Sequence, residues 1–349
     1  MRRPLAAFLI ISILIVSSLP VYAAYGPIEK YGLHCNSTPG IPLEKTLWLA
    51  GDYPVEFVSI GNTYINWTEA AYRSLWSIPV REDNGSICAF GERLQGMITV
   101  GVSPKPEYTT MDIAATACEA LGIPTEGFDG VSLTRAKASQ VVVIYVDALG
   151  WYRYLWAREK MKNITSLGPP LLASSVFPSI SNVNAAAMVT GVYPEKSGID
   201  IWENRTMLVD NDFDLAKRYR ISHAWVDGPR PPVSLKDGII RTPYRNDSRY
   251  DEGIMEKAIS EYRNGTRLLY VHIFEADQAL HRTGPYSRES LKAIEHDDAL
   301  VGHMLPEVGR GTLVIVVSDH GGHAIEGGKG DHGTLLPQDM LVPVFIKQY

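Results

Sequence analysis

Cysteine is scarce in this chain, three in 349 residues, so at most one disulfide can brace it. Positive charge is not in excess. Lys and Arg number 33 against 39 Asp and Glu, a formal net charge of −6, which removes the electrostatic footprint expected of a duplex nucleic-acid binder. Beyond residue 24 no run is long and apolar enough to span a bilayer, so any membrane attachment is expected only through the amino terminus. No repeat or low-complexity tract is evident. No G-x-S-x-G elbow is present, so a serine nucleophile activated within a Ser-His-Asp triad is not indicated. What remains is ordinary globular material, 45% apolar and 21% charged, enough for one large α/β domain with insertions or for two domains.

Residues 1–24 read as a targeting segment. Arg2 and Arg3 form a short positive region, Leu5–Leu19 is apolar, and Val21-Tyr22-Ala23 has the small-residue pattern of a cleavage site. An uncleaved anchor is the other reading. Seven of eleven asparagines lie in N-x-S/T sequons (Asn36, Asn66, Asn84, Asn163, Asn204, Asn246 and Asn264), which points to an exported, extracellular or cell-surface glycoprotein. In that compartment Cys35 and Cys88 could pair. Cys118, on an amphipathic stretch with Ile113, Ala114, Ala117 and Leu121, reads as a small core residue.

Residues 25–96 are turn-rich and carry no legible function. From Met97 the pattern changes: a strand over 97–102, then a helix from about Thr110 that stops at Gly122-Ile123-Pro124. Strands and helices then alternate to the C-terminus. This predicts an α/β fold with a mainly parallel sheet covered by helices on both faces, over residues 97–349. Residues 200–250, with Trp202, Trp225 and the run Pro229–Pro232, interrupt the rhythm and read as an inserted cap over the site, where Trp202, Trp225 and Tyr244 could stack on a flat leaving group.

Four strand-like runs lead into residues that bind metals or attack substrates. Val141–Val146 meets Asp147; Leu171–Phe177 leads to Ser181; Leu268–Phe274 leads to Asp277 and His281; Leu313–Val317 leads to Asp319 and His320. His332 follows in Gly-Asp-His-Gly. Ligands in open α/β sheets bind beyond the carboxyl ends of strands. Each residue alone has a plain alternative as a helix cap, solvated face or loop residue. Together, three acids, three histidines and a hydroxyl have the makeup of a two-metal hydrolase, and mixed carboxylate and imidazole donors suit Zn²⁺. With no base beside it in sequence, the serine of Phe177-Pro-Ser-Ile-Ser-Asn-Val-Asn184 would rely on metal activation. Ser179 and Ser181 are both available.

In order, VDALG (146–150), FPSISNVN (177–184), MVTGVYPEKSGI (188–199), EADQALHRTGP (275–285), SDHGG (318–322) and GDHGT (330–334) resemble the type I phosphodiesterase/nucleotide pyrophosphatase family of the alkaline phosphatase superfamily. The resemblance implies an alkaline-phosphatase-like fold and hydrolysis of a small-molecule phosphate ester, a phosphodiester or nucleotide pyrophosphate. It implies two Zn²⁺ ions (Mn²⁺ or Fe being alternatives), one held by Asp277, His281 and His332, the other by Asp147, Asp319 and His320 with Ser181 reaching it. Ser181, ten residues before Gly191, takes the nucleophile's place and forms a phosphoseryl intermediate, and Asn184 would hold the phosphoryl oxygens. The turn departs from the family at Asn182-Val183, where Phe-Pro is usual. A sulfatase is disfavoured because Ser181-Asn-Val-Asn-Ala lacks the formylglycine pattern. Phosphomonoester or phosphonate hydrolysis would use the same site, and a catalytically dead binding glycoprotein is the reading outside enzymology. The helix motif Asp112-Ile-Ala-Ala-Thr, ending at Leu121-Gly-Ile-Pro124 and followed by Asp129-Gly130, lies upstream of Asp147 where relatives place it after the last metal histidine. This suggests a circular permutation.

Overall fold

The computed structural model describes residues 106–242 and 250–349, and before residue 106 the backbone of short strands alone. The chain divides into two compact units, Met1–Lys105 with Thr334–Pro337, and Pro106–Gly333 with Gln338–Tyr349. In the first, the strand expected over 97–102 forms at Ile98–Val102. It pairs with Ile11–Leu14 and Val55–Ile60 in a four-stranded sheet of its own. The leader, the Cys35–Cys88 pair, Tyr244 and the sequons at Asn36, Asn66, Asn84 and Asn246 concern side chains outside the described residues.

The second unit is built on eight strands: β1 (Tyr108–Thr109), β2 (Gln140–Val146), β3 (Leu171–Ser174), β4 (His223–Asp227), β5 (Ile239–Arg241), β6 (Leu268–Ile273), β7 (Thr312–Val317) and β10 (Leu341–Gln348). A small hairpin, β8 (His323–Ile325) and β9 (Lys329–Asp331), precedes the last. The sheet order is β5-β4-β6-β2-β7-β10-β3-β1. Every pairing is parallel except those of β10, which runs against β7 and β3.

The central strands explain themselves. Val-Val-Val-Ile-Tyr-Val in β2 is buried along its whole length, as a strand covered on both faces must be. Alternate side chains face opposite layers. Val141, Val143 and Tyr145 pack with α1 (Asp112–Ala120), α3 (Ser181–Thr190) and α4 (Asp212–Arg218). Val142, Ile144 and Val146 pack with α2 (Trp151–Ala157), α5 (Tyr250–Arg263) and α7 (Arg288–Met304). Cys118 lies in the first of these cores, fully buried.

The upstream helix α1 is integral to this unit. Asp112 accepts the N–H groups of Thr109 and Val131. The N–H groups of Asp129 and Gly130 both reach the carbonyl of Gly191, in the V-T-G-V-Y-P segment. A Cβ on Gly130 would stand 2.4 Å from the Met111 carbonyl oxygen, so only glycine permits this approach.

The inserted cap expected over 200–250 needs correction. Asn211 caps α4 with a reciprocal capping box, and β4 and β5 then extend the sheet, so residues 211–241 are largely another piece of the α/β alternation. Trp225, a candidate platform for a leaving group on sequence grounds, is buried in the core, stacked on Tyr270 at 5.7 Å. Strand β4 is hard to see in the sequence because it is short and lies between charged, proline-rich loops. Trp202 is half-exposed on the loop before α4.

Candidate active site

The carboxyl ends of β2, β4, β6 and β7 bring their acids to one edge of the sheet. Asp147 and Asp319 follow β2 and β7 closely, Asp227 ends β4, and β6 leads into α6 (Glu275–Thr283), which carries Asp277 and His281 one turn apart.

Two groups of three result: Asp147, Asp319 and His320, all buried, and Asp277, His281 and His332, more open. In each, one donor atom per residue lies within 4.8 Å of the others. Around His320 Nε2 are Asp319 Oδ2 at 3.1 Å, Asp147 Oδ1 at 3.4 Å and Ser181 Oγ at 3.2 Å. His281 Nε2 stands 3.2 Å from His332 Nε2 and 3.3 Å from Asp277 Oδ1. The His320 and His332 rings stack at 3.8 Å, so the two groups adjoin.

The histidines share one arrangement. The Nδ1 atoms of His320, His332 and His281 face the carbonyl oxygens of Gly321, Ser179 and Gly330 at 2.8, 3.1 and 3.2 Å. A carbonyl accepts but cannot donate, so each Nδ1 carries hydrogen and each neutral ring presents an Nε2 lone pair inward. Asp147 Oδ1 and Asp277 Oδ1 are buried without a hydrogen-bond partner. Facing lone pairs with orphaned carboxylate oxygens between them fit divalent cations with mixed nitrogen and oxygen ligands.

The electrostatics agree. Burial, with the charges of Asp319 and Asp277, pushes Asp147 up to about 8. Burial opposes charge on His320, but the adjoining Asp319 and Asp147 outweigh it and raise it to about 10. His332 is held down to about 4 by burial and by its histidine neighbours. Without a cation, a proton takes its place at His320.

Sequence reasoning missed the groups that brace the acids. His272, inside β6, bridges Asp147 Oδ2 and Asp227 Oδ2, each at 3.0 Å. In register with it on β2, Tyr145 stacks on the imidazole at 4.1 Å and donates to Asp319 Oδ2 at 2.6 Å. The sequence does hold a signal: a histidine within Leu-Leu-Tyr-Val-His-Ile is anomalous in a buried strand, and Asp227 ends its strand much as Asp147 does. Ala148 takes a positive φ of 55° while its N–H donates to Asp319 Oδ1, a strained backbone held by that contact.

Ser181 opens α3, where the first N–H groups have no intrahelical acceptor. Ser179 is buried, and its carbonyl orients His332. The Asn184 side chain is fully buried and engaged by its own loop. Its Oδ1 accepts from Thr110 Oγ1 and the Val176 N–H, and its Nδ2 donates to the carbonyls of Val176, Pro178 and Ile180. The carboxamide holds the turn that presents Ser181, so the expected direct contact becomes a positioning one. Asn182 acts in a comparable way. Its Nδ2 donates to the carbonyls of Ile201, Trp202 and Asn204, tying the Trp202 loop to the residue after Ser181.

Residues 201–341 match the model of the family described as type I phosphodiesterase / nucleotide pyrophosphatase. Curated protein sequences give no match. Among solved structures, murine ectonucleotide pyrophosphatase/phosphodiesterase 5 aligns at 15% identity over 60% of this chain and 88% of its own, with a TM-score of 0.48. An inactive form of that protein in complex with AMP aligns at 20% identity over 53% and 57%, with a TM-score of 0.42. Phosphonoacetate hydrolase from Sinorhizobium meliloti 1021 in complex with phosphonoacetate aligns at 16% identity and a TM-score of 0.42. There the alignment covers 52% of this chain and 56% of the hydrolase. The ordered motifs of the sequence and the match over residues 201–341 resemble the same family, the type I phosphodiesterases/nucleotide pyrophosphatases.

Proposed function

We propose that this chain is a metal-dependent hydrolase of small-molecule phosphate esters, acting on phosphodiesters or nucleotide pyrophosphates through Ser181. The observation that carries the reading is the inward convergence of three histidine Nε2 atoms and two orphaned carboxylate oxygens beside the Ser181 hydroxyl. Asp147, Asp319 and His320 would hold one cation and Asp277, His281 and His332 the other. Zn²⁺ is the ion this donor set favours. Bound there, the two cations would lower the pKa of the Ser181 hydroxyl and offset charge on the transferring phosphoryl group.

The chain's own residues supply the rest. Ser181 Oγ, losing its proton, attacks phosphorus, the bond to the leaving oxygen breaks and that oxygen takes up a proton, and water then cleaves the seryl phosphate ester, returning Ser181 and a phosphomonoester. Charge builds on the equatorial oxygens, which the N–H groups opening α3 could hold. Asn184 keeps the turn in place while Ser181 alternates between hydroxyl and ester. Trp202, held near by Asn182, offers a flat apolar face to the leaving group. The leader-like residues 1–24 and the sequons support an exported enzyme. Among the described sequons, Asn264 is exposed, whereas Nδ2 of Asn163 and of Asn204 donates internally, to Asp298 and Gly198. No helix among the described residues is long and apolar enough to cross a membrane.

The test compares Zn²⁺-reconstituted protein on a nucleotide pyrophosphate, an aryl phosphodiester, a phosphomonoester and a phosphonate. Ser181→Ala should reduce turnover of every accepted substrate by roughly a thousandfold or more while two ions stay bound. Full activity in Ser181→Ala with loss in Ser179→Ala would move the nucleophile. Preference for the monoester or phosphonate would keep the site and change the substrate class.

A further inference from the structure

A second collection of acids lies at the amino-terminal end of α6, using none of the six residues above. Glu275 opens α6, and His296 and Asp297 face it from α7; one donor atom of each lies within 4.8 Å of the others. His296 Nδ1 is 2.5 Å from Glu275 Oε2, and its Nε2 is 3.5 Å from Glu252 Oε1.

Asp297 is the telling member. It is 1% exposed, in a protein interior where a carboxylate is expected to be paired. Its Oδ2 accepts from the Ala276 N–H at 3.2 Å, while its Oδ1 is buried with no hydrogen-bond partner. Asp251 repeats the pattern: Oδ2 accepts the N–H groups of Phe274 and Glu275, and Oδ1 is buried without a partner. Four carboxylates, from Asp251, Glu252, Glu275 and Asp297, thus gather around one imidazole. The buried Arg153 guanidinium is close enough to favour a charged Asp297. Its hydrogen bonds run to the carbonyls of Ala148 and Ala276 and to Ser290 Oγ instead. The partial positive charge at the start of α6 is answered by the two capping oxygens, which leaves the other two orphaned.

We propose that Glu275, His296 and Asp297 form a third divalent-cation site, separate from the catalytic pair. One imidazole with carboxylates is a donor set for Zn²⁺ or a similar borderline ion rather than for Mg²⁺ or Ca²⁺. Such an ion would tie α7 to the first turn of α6, the helix that carries Asp277 and His281, and so hold those ligands in position without touching substrate. The rival occupant is a proton: burial raises the proton affinity of Asp297, and of Asp251 to about 6.

The experiment strips the full chain with chelator, reloads it with Zn²⁺, counts metal per chain and records anomalous scattering at the zinc edge from crystals. Three ions per chain are expected in the wild type, falling to two in His296→Ala and in Glu275→Gln, with turnover of a small aryl ester lowered but not abolished. An anomalous peak among Glu275, His296 and Asp297 in the wild type keeps the test independent of whether either variant folds. No peak there, with peaks at the other two groups, overturns the proposal and leaves a protonated Asp297. A peak there alone would support this site and overturn the catalytic reading.

Discussion

Removing the cations should make the protein's stability depend on pH in one direction. In the metal-free fold Asp147 is pushed up to about 8 and His320 up to about 10. Their unfolded values are near ~3.9 and ~6.5. Both are raised on folding, so the folded state keeps protons that the unfolded chain has released. Stability is therefore greatest in acid and declines as pH rises, over roughly 4 to 8 for Asp147 and roughly 6.5 to 10 for His320. His332, held down to about 4, works the other way below pH ~6.5. Asp319, lowered by its bonds to His320 and Tyr145 against the effect of burial, loses its contribution only in strong acid. The clean window thus lies above pH ~6.5. Between there and pH ~9 the two raised groups cover about four pKa units, a ceiling of ~5.6 kcal/mol at ~1.4 kcal/mol per unit. Because the charge of Asp147 is one cause of the raised His320, and a charged His320 lowers Asp147, the two shifts cannot both be realised in full; we expect about half of that, a fall in Tm of about 5–10 °C for a domain of this size. With Zn²⁺ bound the same groups stay deprotonated and affinity rises with pH, so the decline should vanish or reverse. Calorimetric melts of chelated and reconstituted protein across that window measure the difference. Parallel curves for the two forms would refute the reasoning, since they would mean that the inner acids and His320 are not where the cation acts.

Three further outcomes follow from contacts around the site. His272→Asn removes the bridge between Asp147 and Asp227; Zn²⁺ affinity, measured by chelator competition, should drop ~10- to 100-fold, and unchanged affinity would reduce His272 to a packing residue. Asn184→Ala should lower both Tm and turnover, because it strips five hydrogen bonds from the Val176–Ile180 turn and from Thr110; a loss of turnover at unaltered Tm would instead indicate direct contact with substrate. Trp202→Ala should change the preference between a nucleotide ester and a small aryl ester more than it changes turnover of the latter, and equal losses on both would assign Trp202 a structural role.

The parts of the fold visible in the sequence are those whose chemistry is local. β2, β6 and β7 are largely apolar runs that end at an acid or lead into one, so both the strands and the residues beyond them can be read directly. The Asp112 helix is legible from its apolar spacing and its Gly-Ile-Pro stop. Strand β4 is not, because His-Ala-Trp-Val-Asp is five residues long and its neighbours are charged. The direction of a carboxamide is a tertiary property, which is why sequence aims Asn184 at substrate when it faces its own loop. His272 sits within a strand, whereas the rule that ligands gather beyond strand ends points past it. Glu275, His296 and Asp297 come together only when α6 and α7 pack, and no spacing in one helix announces that.

The unequal exposure of the two candidate metal groups has a kinetic consequence. Asp319 and His320 are sealed, with Asp147 4% exposed, while His281 keeps 43% of its side chain in solvent. With cations bound as proposed, one in the inner group would have no open path to solvent, whereas one in the outer group would face solvent beside His281. Exchange should therefore be sequential, the inner ion entering first and departing last. A limiting dose of chelator would create a half-loaded enzyme that holds its fold and its activated serine and lacks the partner charge across from it.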